Sequence, residues 1–291
     1  MVADAPVLNS AIVTLDVLHS GIIWGWYVTM NFWAKSISTG LVLLAPWVLR
    51  TSNDRRTRLL VAALSFVFIN VTLLFTVLDL HQPFRFWHMF VWPHLDSAIN
   101  LGAWLLTVFN GLLLAMSWLA WKGRTALYDR LVPVAWPLAF LATIYTAGLL
   151  GQANAREVWS APTEVAQMLL AATLSGSATF LLLRLGDRAR LGTVLGLSAT
   201  VSLTIYVSEV VFAPQKSEEA EYVVHTLLGG RIGVLFGAGL LLGFVLPMLL
   251  TYFGVRRDNP RLLAAASVLS LAGLWLVKHA WLIAPQLIPL S

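Results

Sequence analysis

The chain of 291 residues contains no cysteine. It therefore offers no thiolate to an iron–sulfur cluster or a metal, and no disulfide. Charge is the second scarcity. Asp, Glu, Lys and Arg make up 11% of the chain, against about 25% in an ordinary soluble domain. So little charge cannot keep a chain that is 58% hydrophobic, with a mean hydropathy of +0.79, dissolved in water. No hydrophilic stretch is long enough to form a soluble domain. The first twenty residues carry Asp4 and Asp16 but no Lys or Arg, so the positive start of a cleavable signal peptide is missing and none is expected. The net charge is +5, yet the basic residues sit in short loops between apolar runs. That arrangement suits lipid headgroups and not nucleic acid.

What is present is a series of long apolar runs. A membrane helix needs roughly 20 apolar residues. Eight such runs stand at 20–49, 57–81, 98–121, 130–151, 162–184, 190–213, 230–254 and 261–285. The expected fold is all-α: a single polytopic membrane domain over 1–291, with eight transmembrane helices arranged as two four-helix bundles. Alternate loops differ sharply in charge. One set carries thirteen of the nineteen basic residues, in groups around Arg55, Arg124, Arg188 and Arg256, while the opposite set holds only Arg85, Arg156 and Lys216. The positive-inside rule puts the first set in the cytoplasm. Both termini are then expected outside it, which an even number of crossings allows.

All six histidines fall toward the opposite, outer face: His19, His81, His88, His94, His225 and His279. Three cations lie inside the runs, namely Lys35, Arg231 and Lys278. An ionisable residue in a bilayer costs roughly 2.5–3.5 kcal/mol and is a functional candidate by default. Lys35 is near the middle of the first crossing. Tyr27, Asn31, Lys35 and Ser38 follow helical spacing and form one polar stripe, suited to a proton path, a ligand headgroup or plain interhelical bonding. In the sixth crossing Ser202, Tyr206 and Glu209 share a face. A pair of Glu209 with Lys278 or with Arg231 would offset the cost of burial.

The segment 79–97 combines aromatic rings, histidines, Arg85 and two prolines. It is expected to lie in the membrane interface. Asp79-Leu80-His81-Gln82-Pro83-Phe84-Arg85-Phe86-Trp87-His88 resembles the signature string of the NrfD/polysulfide reductase membrane-subunit family at the end of the second helix. His81-Gln82 stands where the family has Gly-Arg. Asn100-Leu101-Gly102-Ala103-Trp104-Leu105, Trp24-Gly25-Trp26-Tyr27, Tyr145-Thr146-Ala147-Gly148 and Leu174-Ser175-Gly176-Ser177-Ala178 are similar in character to the family's helices.

The resemblance implies an eight-helix subunit of the inner membrane that carries no haem or iron–sulfur cluster. Such a subunit exchanges electrons between a quinone (menaquinone or ubiquinone) and a four-cluster, ferredoxin-like iron–sulfur subunit at the outer face, with a molybdopterin catalytic subunit beyond. On that reading the quinone headgroup is expected among His19, Asn31, Asp79, Arg85, His88 and Tyr145. Lys35, Glu209 and Lys278 are candidates for a proton route. Two alternatives stand beside it. A haem b anchor needs facing histidines, and a transporter would use the mid-membrane Lys35 and Asn31.

Overall fold

The computed structural model describes residues 21–94, 96–153 and 156–288; among them there are helices and turns but no strand. In chain order these are α1 (Trp26–Thr51), α2 (Arg55–Asp79), the short α3 (His88–Val91), α4 (Ala98–Trp121), α5 (Thr125–Leu150), α6 (Ala161–Leu183) and α7 (Arg188–Lys216), then α8 (Glu218–Leu228), α9 (Gly230–Leu240), α10 (Leu246–Arg256) and α11 (Pro260–Ile283). A π-helical turn, Leu241–Val245, joins α9 to α10, so these three make one crossing. A 3-10 turn, Ala284–Leu287, finishes α11. Eight spans of 23 to 29 residues result. At about 1.5 Å per residue each is long enough for a hydrocarbon layer of roughly 30 Å.

Successive crossings run in opposite directions, so the molecule has two ends. The arginine end holds the loops with the thirteen basic residues, and the aromatic end holds the α2–α4 loop. Two of the four acids at the arginine end, Asp54 and Asp187, begin helices. Asp54 accepts from the Thr57 amide at 3.2 Å, Asp187 from the Ala189 amide at 3.0 Å, and Asn259 plays the same part for α11, accepting from Arg261 at 3.0 Å. Each satisfies donors that a helix start leaves free. The Thr57 hydroxyl also donates to Asp54 and holds its carboxyl below the usual range. Arg58 pairs with Asp129 at 2.8 Å and locks α2 to α5.

The crossings pack as two four-helix bundles. In the first, α1, α2, α4 and α5 contact one another in a ring; in the second, α6, α7, α9–α10 and α11 do the same. Two apolar clusters fill them: Ile69, Leu106, Phe109 and Leu113 lie in the first bundle, and Leu195, Tyr206, Phe244 and Leu274 belong to one that fills the second and continues onto α1 through Ile37 and Leu41. The bundles meet chiefly where α1 crosses α6. There Gly40 and Gly176 bring the two backbones into contact, and a Cβ on Gly40 would overlap the Ala172 carbonyl. A similar approach of Gly243 to Gly273 seats the π turn on α11.

Several expected boundaries change, and the fourth crossing starts at Thr125 and not at 130. The first helix starts at Trp26 and not at 20, because Gly21 has a left-handed φ of +71° and Gly25 is the extended cap. α7 runs on to Lys216, beyond the expected 213. Before the seventh crossing stands α8, whose Ser217 cap accepts from the Ala220 amide at 3.2 Å and whose Ala220, Val223 and Leu227 form a buried stripe.

Candidate functional site

The first bundle is hollow at its aromatic end. A cavity of about 280 Å³ lies between α1, α2, α4 and α5, with the α3 turn beside it. Its walls are mostly apolar, including Val28, Leu73, Leu106 and Leu149. Few polar groups interrupt them: Asn31, Thr76, Asp79, Thr107, Tyr145 and Thr146. Phe86 and Ile99 line it yet are 43% and 53% exposed, so the cavity reaches the surface there. Greasy walls with a few convergent polar groups, at a volume near the lower end of the roughly 300–1,000 Å³ usual for small-molecule sites, describe a ligand pocket.

The local chain explains the placement of each polar group. Asn31 stands on α1 at the level of the last turns of α2, and its amide donates to Thr76 Oγ1 at 2.5 Å and to the Thr72 carbonyl at 3.3 Å. Those bonds fix the amide against α2 at the cavity wall. Asp79 is the last residue of α2 and is half-buried. The Tyr145 ring packs directly against Gly102 of α4, where a Cβ would strike it. Lys35 does not line the cavity but sits behind Tyr145 and Thr146. It is 2% exposed, donates to Thr146 Oγ1, and holds its Nζ 4.6 Å from the Tyr145 ring centre and 5.5 Å from that of Phe32. No carboxylate among the described residues forms an ion pair with it.

A family model described as polysulphide reductase, NrfD, matches residues 17–289. The chain belongs to the NrfD family. NrfD proteins are membrane subunits of oxidoreductase complexes. A comparison with curated proteins gave no match.

Three of the six residues expected at the NrfD headgroup site, Asn31, Asp79 and Tyr145, line this one cavity. Arg85 and His88 do not. Both are exposed, Arg85 in a 3-10 turn and His88 at the start of α3, where its ring packs on Trp87 and Trp92. The same loop turns Phe86, Met89 and Phe90 inward instead, and Asn100 ties it to α4 by donating to the Met89 carbonyl at 2.8 Å. His19 lies outside the described residues. His81, His94 and His225 are exposed, and His279 is half-buried against Trp275 and Thr29.

The expected pairing of Glu209 with Lys278 or Arg231 is wrong. Glu209 pairs with Lys216, two turns along α7, and accepts from Thr163 at 3.2 Å. Arg231 is exposed. Lys278 instead faces Glu164 in the first turn of α6, at 3.7 Å, and both are buried. Neither Glu209 nor Lys278 lines the cavity. Sequence reading did not single out Glu164, because it stands at the very start of the expected 162–184 crossing, where an acid passes for one of the outer-face carboxylates. It missed Thr146 as well, although the Tyr145-Thr146 pair was in view.

The residues at the cavity fit a quinone. Its carbonyls need a donor or a protonatable partner within an apolar slot, which Tyr145 and Asp79 supply, Asn31 Oδ1 can accept from the reduced hydroxyl, and the exposed rim at Phe86 and Ile99 leaves a way out for a lipid tail.

Proposed function

We propose that this NrfD subunit anchors a respiratory oxidoreductase complex in the inner membrane and exchanges electrons between the quinone pool and an iron–sulfur subunit. The aromatic end faces away from the cytoplasm on this reading, since the arginine loops belong inside. With no cysteine of its own, the chain needs a partner's cluster, expected to be of the four-cluster, ferredoxin-like kind with a molybdopterin subunit beyond it. One observation carries the proposal: Asn31, Asp79 and Tyr145, far apart in sequence, converge on one apolar cavity that reaches the surface.

A bound quinone supplies the electron-carrying ring, menaquinone or ubiquinone, whose redox change takes up or releases protons. The chain's residues do the rest. Tyr145 orients one carbonyl by donating to it, while Asn31, whose two amide hydrogens are held by α2, offers its Oδ1 as an acceptor to a quinol hydroxyl. Asp79, at the water-facing end of α2, accepts or returns the proton, as general acid–base groups do. Lys35, behind Tyr145 and Thr146, favours negative charge on the headgroup and passes a proton through the Thr146 hydroxyl.

The test is photolabelling of the purified native complex with an azido-quinone. Label is expected on the cavity-lining peptides that contain Phe86–Phe90 and Tyr145–Leu150, and it should fall at least several-fold in Asp79→Asn and Tyr145→Phe. Label confined to the arginine end, together with a purified complex that holds no quinone, would overturn the assignment.

A further inference from the structure

The second bundle carries a buried polar cluster apart from the cavity. Glu164, 1% exposed, lies in the first turn of α6, where the helix dipole favours a carboxylate. Its Oε1 accepts from Trp281 Nε1 at 2.7 Å. Its Oε2 faces Lys278 Nζ across 3.7 Å, and neither of those two atoms has a hydrogen-bond partner among the described residues. Two more orphaned polar atoms accompany them: Gln167 Nε2, one turn along the same face of α6, and the Tyr206 hydroxyl. The Tyr206 ring packs edge-on against Trp281, with centres 5.2 Å apart, so α6, α7 and α11 all contribute to this one region. The bundle closes over it. Trp159 donates to the Trp281 carbonyl at 3.4 Å, and Arg156 pairs with Glu219 of α8 at 3.3 Å.

A charged pair is strongly disfavoured in so apolar a core unless further hydrogen bonds complete its shell. Buried polar atoms that lack a protein partner are commonly completed by internal water, each molecule making about three hydrogen bonds. Here an anion and a cation face each other, an amide donor stands one turn along α6, and a hydroxyl is carried by a ring packed on Trp281, polar groups of the kind that internal water requires.

We propose that Glu164, Gln167, Tyr206 and Lys278 enclose a water-filled proton-exchange site in the second bundle. Water links Lys278 Nζ to Glu164 Oε2. A proton leaves the ammonium and joins the carboxylate, giving an amine and a carboxylic acid, so no net charge leaves the pair. The site stands whatever ligand occupies the first bundle.

Two measurements on the purified full chain test it. In brief X-ray radiolysis in ¹⁸O-water, bound water converts to hydroxyl radical and marks the side chains it touches. Trp281 and Tyr206 should take up label as readily as exposed Tyr252, while Phe109, buried in the first core, stays unmarked. In the double variant Glu164→Leu/Lys278→Leu the Trp281 label should drop to the Phe109 level. A wild-type Trp281 no more labelled than Phe109, or full labelling in the double variant, overturns the water site. Infrared spectra in H2O and D2O read the exchange. A carboxylic-acid band that shifts in D2O and vanishes in Glu164→Gln supports it. A wild-type protein without that band at any pH holds a fixed ion pair, and the exchange step is overturned.

Discussion

The two four-helix bundles share a size and a ring-like packing but treat their aromatic ends in opposite ways. The first leaves a cavity there, walled by apolar side chains and edged by Asn31, Asp79 and Tyr145. The second fills the equivalent depth with the Glu164–Lys278 pair and covers it with Trp159, Trp281 and α8. The cations differ in the same way. Lys278 has a carboxylate opposite it, whereas among the described residues Lys35 meets a threonine hydroxyl and two aromatic faces and no carboxylate. A cation left without its counter-charge is suited to a visiting ligand, and a paired one to holding helices together.

The strongest way to break this contrast is Lys278→Met. It strands Glu164 inside the bundle and should cost about 3–5 kcal/mol, seen as a clear drop in the thermal midpoint. Glu164→Leu/Lys278→Leu should recover most of that loss. Gly102→Ala comes next. The new methyl meets the Tyr145 ring, and overpacking of that kind costs about 1–3 kcal/mol, with weaker azido-quinone labelling as its second signature. Lys35→Met should behave unlike Lys278→Met. It orphans no acid, so the midpoint should hold or rise while quinone-linked turnover falls; a midpoint as low as that of Lys278→Met would erase the distinction between the bundles. The smallest effects belong to Arg85→Ala and His88→Ala. Neither side chain lines the cavity, so quinone affinity should stay within about twofold, the range of ordinary surface substitutions of about 0.5 kcal/mol. A tenfold loss in a binding titration would bring the loop's charged face back into the site.

The crossings were legible because each is a long run of apolar residues, a signal that local composition carries by itself. The bundle arrangement followed from connectivity, since short loops make sequential helices neighbours. The start of α1 was not legible. Ile22 and Ile23 are as apolar as the helix, and only the backbone at Gly21 and Gly25 marks them off. The α2–α4 loop shows the same limit for the site. Its polar and aromatic residues alternate too irregularly to say which face turns inward, and it is Phe86, Met89 and Phe90 that do so while Arg85 and His88 face out. Asn31, Asp79 and Tyr145 could be named because the family resemblance points to the outer end of the helices, and each is a polar residue of a predicted crossing on that side. Glu164 could not be matched to Lys278, because choosing among partners more than a hundred residues away depends on how α6 and α11 rotate against each other.

The π turn at Leu241–Val245 bears on how the seventh crossing keeps its inner face. Gly239, Gly243, Pro247 and Thr251 are all buried, at an unbroken spacing of four. Steps of four overrun a regular helix of about 3.6 residues per turn and would wind this row steadily outward. The wider turn absorbs the drift, as an inserted day keeps a calendar in step with the season. Losing a single residue there would swing everything after it by about 100°, carrying Thr251 and Gly254 away from the neighbours they now meet.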